Sequence, residues 1–101
     1  MSERKRDKLD ALEKHLKKKL RKWKMARGQD GLTGNYYYRF KDEKRRLRAE
    51  FREIVIEGES SESIIQRLKT TWPPSGKEDV AIRVYPDAIE QVPWDPTFGK
   101  A

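Results

Sequence analysis

At 101 residues, with hydrophobic residues at 35% and charged residues at 41%, the chain has room for one domain around a small core. It has no cysteine, which excludes a disulfide framework, thiol catalysis and a cysteine zinc site; a charged N-terminus and the lack of any apolar run near ~18–20 residues predict an intracellular protein, cytoplasmic or nuclear, with no membrane span. The net charge of +7 is polarised: residues 1–52 hold 19 Lys+Arg against 8 Asp+Glu, or +11, and residues 53–101 hold 5 against 9, or −4.

In chain order, the spacing first predicts a long helix that starts near Ser2 and stops at Gly28. Its apolar residues Leu9, Leu12, Leu16, Leu20 and Trp23 recur at intervals of three and four, so they keep within about 80° of arc. A stripe that narrow suits a helical hairpin. The loop of residues 28–35, GQDGLTGN, supplies three glycines and an asparagine for a chain reversal. Residues 36–40, YYYRF, read by propensity either as a short strand or as the first turn of a second helix, and the helical reading is taken.

That second helix covers residues 37–57, with Phe40, Leu47, Phe51 and Ile54 on one face and Gly58 as its stop; Ile54, Val55 and Ile56, β-branched, compete as a strand. A third, short helix begins within residues 59–63, where Ser60 or Ser61 can cap it, and cannot pass Pro73 and Pro74. Residues 80–85 alternate as a half-buried strand, with Val80, Ile82 and Val84 on one side. Its expected pairing edge is residues 36–40, residues 54–56 or a second copy of the chain. The expected fold is therefore mainly α with a minor β element: an antiparallel helical hairpin over residues 1–57, a short helix and strand completing a domain of residues 1–85, and a Pro-rich extended tail over residues 86–101.

Between Lys14 and Arg27 stand eight cations and no acid. Lys14, Lys17, Lys18, Arg21 and Lys22 lie on or beside the far side of the first helix from its leucine stripe. Repulsion among them costs what favourable i,i+4 pairs gain, so a solvated face does not account for the pattern. On the second predicted helix Lys41, Arg45, Arg48 and Arg52 keep within about 60° of arc. Arginine grips phosphate through a planar bidentate fork, so the stripe suits a phosphate backbone.

Tyr36, Tyr37 and Tyr38 beside Arg39 and Lys41 have the make-up of a base-stacking segment, although aromatics after a glycine loop more often pack a core. Trp94 and Phe98 in the tail suit a linear peptide offered to a partner. No nucleophile, acid/base pair, metal spacing or phosphate loop is present, which predicts a binding protein without cofactor or metal rather than an enzyme. The expected function is nucleic-acid binding, DNA or RNA, through phosphate contacts from basic faces of two helices with little base-specific readout. The alternative is a protein-interaction module or small inhibitor whose basic hairpin docks on an acidic partner protein. The small core leaves room for a homodimer, and the narrow stripe argues against a membrane surface.

Overall fold

A computed structural model describes residues 4–94. Its frame is a five-stranded mixed sheet with three short helices, which overturns the expectation of a mainly helical hairpin with one strand. The order in the chain is α1 (Lys5–Lys17), β1 (Lys24–Gln29), β2 (Tyr36–Lys41), β3 (Arg46–Phe51), α2 (Glu53–Gly58), α3 (Ser61–Leu68), β4 (Val80–Val84) and β5 (Ile89–Pro93). The strands lie side by side in that same order. β1, β2 and β3 form an antiparallel meander, β4 runs parallel to β3 after the α2–α3 crossover, and β5 returns antiparallel to β4.

The leucine stripe belongs to the core as expected, but the helix that carries it is shorter. α1 ends at Lys17 rather than Gly28. Beyond it, bonds from Leu20 N–H to the Lys17 carbonyl (3.0 Å) and from Trp23 N–H to the Leu20 carbonyl (3.1 Å) tighten the chain into i→i+3 turns. These turns bring Leu20 into the core without continuing the helix. Three consecutive lysines, Lys17 to Lys19, sit where the helix stops, and cations at that end complement the helix dipole.

The proposed second helix is three separate elements. β2 buries Tyr36, Tyr38 and Phe40 on one side, and β3 buries Leu47, Ala49 and Phe51 directly opposite them. From Arg46 to Arg52 polar and apolar residues alternate without a break, the period of a strand with one buried face. The β-branched run that follows is helical: α2 seats Val55 and Ile56 in the core and leaves Ile54 exposed. α3 starts as the sequence predicts, the Ser60 hydroxyl accepting a hydrogen bond from Ser63 N–H at 3.1 Å, a cap worth about 1 kcal/mol.

β4 lies where the alternation of Val80, Ile82 and Val84 places it. It pairs with β3 and β5 rather than with any of the three expected edges. Residues 89–93, expected in an extended tail, supply the closing strand. The glycine loop does reverse the chain, between strands rather than helices: Asp30 N–H bonds the Asn35 carbonyl at 2.8 Å, and Gly34 takes a φ of 78° that favours glycine.

All three helices cover one face of the sheet. Leu12 and Leu16 of α1, Val55 and Ile56 of α2, and Ile64 and Leu68 of α3 share one buried cluster with the inward side chains of β2, β3 and β4. Polar ties fix the helical layer to it. The Tyr38 hydroxyl donates to the Leu9 carbonyl at 2.6 Å, the Trp72 indole N–H to the Leu16 carbonyl at 3.0 Å, and the Lys8 ammonium to the Ile56 carbonyl. Among the described residues no helix is long and apolar enough to cross a membrane.

Candidate nucleic-acid interface

Because side chains alternate along a strand, the five strands must send every second residue away from the helices. Register aligns those residues in three rows across the sheet. One row runs Lys24, Lys41, Arg46; the next runs Ala26, Arg39, Arg48, Ala81, Val92; the third runs Gly28, Tyr37, Glu50, Arg83, Glu90. Arg52, Tyr85 and Trp94 follow just past the strand ends. No helix of the described residues lies on this face.

The charge on the face is one-sided. Lys24, Arg39, Lys41, Arg46, Arg48, Arg52 and Arg83 stand against Glu50, Glu90 and, paired with Arg46, Asp79. Lys24, Lys41 and Arg46 are direct cross-strand neighbours, as are Arg39 and Arg48. Directly opposed side chains stand about 5 Å apart, and like charges there are destabilising. The sheet therefore carries a cost that folding alone does not require.

Each half-buried aromatic of the face stacks with arginine. Tyr37 has the Arg48 guanidinium 4.5 Å and the Arg39 guanidinium 5.2 Å from its ring centre. Arg46 lies 5.2 Å over Trp94, and Arg52 lies 5.6 Å over Tyr85. Gly28 makes room for this arrangement: a β-carbon there would stand 2.6 Å from the Tyr37 hydroxyl. Arg48 is only 1% exposed, and burial pushes its pKa down while the Glu50 carboxylate, 3.2 Å from it, pushes the other way. An arginine keeps its proton in such a setting. Glu50 also faces Arg83 at 3.8 Å.

The sequence-predicted residues divide accordingly. Lys41, Arg48 and Arg52 do meet on one face, by the two-residue period of β structure and not by the helical spacing that selected them. Arg45 does not join them. It sits in the β2–β3 turn and donates to the carbonyls of Glu78 (2.6 Å), Pro74 (3.1 Å) and Ser75 (3.1 Å), pinning the connection into β4. Tyr36 and Tyr38 are buried against the helices, which removes them as stacking platforms and leaves Tyr37, the middle tyrosine, on the open face.

Lys14 and Lys17 stay on α1, and Lys18 and Arg21 lie in the turns after it, so the expected single helical face is broken up. Lys17 reaches Glu13 at 3.9 Å. Lys18, Lys19 and Lys69 surround His15, whose pKa is lowered first by burial and then by these charges. Lys22 leads into β1 and borders a shallow hollow with Lys24 and Lys41, whose other side is lined by Asp42 and Glu43. Arg27 turns to the helical layer, where Asp10 at 2.8 Å and Glu13 at 3.1 Å hold it. Trp94 borders the sheet instead of lying free in a tail, and Phe98 falls outside the described residues.

No protein family, curated protein or solved structure matches this chain. Among the described residues no group of three or more His, Asp or Glu side chains is placed to hold a metal ion. Sequence reasoning missed Lys24, Arg39 and Arg46 as members of the face. Arg39 and Arg46 were accessible to it, since they keep the parity of Lys41, Arg48 and Arg52 once residues 36–41 and 46–52 are read with period two.

Proposed function

We propose that this protein binds nucleic acid through the helix-free face of its sheet, gripping the phosphate backbone. The observation that supports the reading is the set of cations held side by side in register, Lys24 with Lys41 and Arg46, with Arg39 in the next row. A polyanion laid across them converts a standing repulsion into attraction and releases the counterions condensed on its phosphates. Among the described residues Asp79 pairs with Arg46, and Asp42 and Glu43 border the hollow beside Lys24 and Lys41 without an ion pair to either. Asn and Gln, the side chains that read adenine edges, are absent from the described residues of this face, so affinity comes chiefly from the backbone.

The test is a comparison of two charge reversals. Arg39→Glu with Lys41→Glu alters the sheet face, whereas Lys14→Glu with Lys18→Glu alters the helical layer. Measured against labelled oligonucleotides at low salt, the sheet variant loses nearly all binding and the helical variant keeps most of it. Equal losses would place the contact elsewhere. Negligible affinity of the unaltered protein for DNA and RNA would overturn the function and favour a protein partner.

A further inference from the structure

At one end of the open face, a groove of about 320 Å³ is built from β1, β2, Arg46 and Trp94. Ala26, Met25 and Phe40 line it together with the cations Lys24, Arg39, Lys41 and Arg46 and the Trp94 ring. The volume lies at the lower end of the range of small-ligand sites. Two of the walls are anchored by one residue. The backbone N–H of Trp94 donates to the Asp79 carbonyl at 3.0 Å, and the Asp79 carboxylate holds Arg46 by its backbone N–H at 2.8 Å and its Nε at 3.1 Å. The backbone that carries the indole and the guanidinium over the ring are thus tied to the same aspartate.

We infer that the nucleic acid is single-stranded and that this groove takes one unpaired base against Trp94, with the flanking phosphates on Lys24 and Lys41. The inference rests on the basic-face reading above and names the form of polymer it takes. Two features select a single strand. The first is access: inside a duplex each base is stacked between its neighbours and offers no ring face to Trp94, while an unpaired base can lie flat against it. The second is chemistry, since an aromatic ring beside an arginine plane is what an exposed base stacks on, whatever its identity.

The small side chain in the lining belongs to the same design. Ala26 pairs with Arg39 across β1 and β2. A larger residue there would fill the groove between the basic walls. The alanine leaves a slot at the one place where the charged row and the indole meet.

The experiment compares a short fluorescent single strand, the same strand made abasic, and its duplex, with the unaltered protein and with Trp94→Ala and Trp94→Phe. The intact single strand is expected to bind at least tenfold more tightly than either of the other two. Trp94→Ala weakens that binding by about 5- to 150-fold and Trp94→Phe by much less. Neither variant changes affinity for the abasic strand. Equal affinity for all three polymers, or an equal loss on all three in Trp94→Ala, would overturn the stacking slot and leave the phosphate-binding face standing. Absence of binding to any of them would take down both.

Discussion

Arg45 separates the sheet from a helical stripe more sharply than any other residue. Helical spacing groups it with Lys41, Arg48 and Arg52 as a phosphate ligand. In the structure its guanidinium donates to three backbone carbonyls, at Glu78, Pro74 and Ser75, and so braces the segment that enters β4. Arg45→Ala removes all three bonds. A net 0.5–1.5 kcal/mol for each, reduced because water can reach part of the site, gives a loss of about 2 kcal/mol. For a domain of this size that lowers the melting temperature by about 8–16 °C.

Thermal and urea unfolding followed by circular dichroism measure the loss. Nucleic-acid affinity, measured well below the transition, should stay near that of the unaltered protein. Arg45→Lys keeps the charge but not the three-way fork, and should fall between the two in stability. Arg45→Ala with stability within about 0.5 kcal/mol of the parent, but with affinity reduced as far as in Lys41→Ala, would refute the reasoning.

Among the described residues of the face, Lys24, Arg39, Lys41 and Arg52 enter no ion pair, so log K against log salt on a single strand should slope at about −2.8, and Arg39→Ala with Lys41→Ala should halve it; a slope unchanged in the double variant would remove these residues from the contact. His15 has its pKa lowered from 6.5 by burial and by Lys18, Lys69 and Lys19. The unfolded chain therefore takes up the proton first, and stability falls as pH drops below 6.5. Replacing His15 with Gln should flatten unfolding free energy through that window, and an unchanged pH profile would exclude His15 as its source. Gly28→Ala places a methyl 2.6 Å from the Tyr37 hydroxyl and 2.8 Å from the ring carbon bearing it. The ring should swing off Arg48 at a cost of about 1 kcal/mol or less, and hydrogen exchange at the Arg48 guanidinium should speed up; unchanged exchange would show that the ring does not shield it.

How far the sequence reveals this fold depends on which period competes at each segment. The leucines of α1, the Ser60 cap and the alternation of Val80, Ile82 and Val84 are local signals, and each marks its element. β1 is different: KMARGQ carries one large apolar residue, Met25, and no β-branched one. It is a strand because it pairs along the length of the tyrosine-rich β2, and its charges suit an exposed edge. The segment from Phe40 to Ile54 satisfies a helical spacing at four positions while Arg46 to Arg52 alternates perfectly. The strand wins because Leu47, Ala49 and Phe51 then bury opposite Phe40, Tyr38 and Tyr36.

The candidate site follows the same logic. An abundance of Lys and Arg is visible in composition, and so is the attraction to polyanions. What composition hides is that tertiary pairing assigns neighbouring cations to different tasks: Arg45 to a turn, Arg27 to α1, Arg48 to a buried stack under Tyr37, and Lys41 to the open row. Trp94 joins that row only because β5 carries the chain back along β4, a pairing with no strong local signature.

The central claim, that the helix-free face of the sheet carries the contact, is tested most directly by side-chain NMR during titration with a short single strand. Ala26 and Val92 report on the open face, Ala11 of α1 and Ile54 of α2 on the helical layer. The account predicts that the Ala26 and Val92 methyls and the Trp94 indole N–H shift while Ala11 and Ile54 stay in place. Shifts confined to Ala11 and Ile54, with the open face silent, would contradict it.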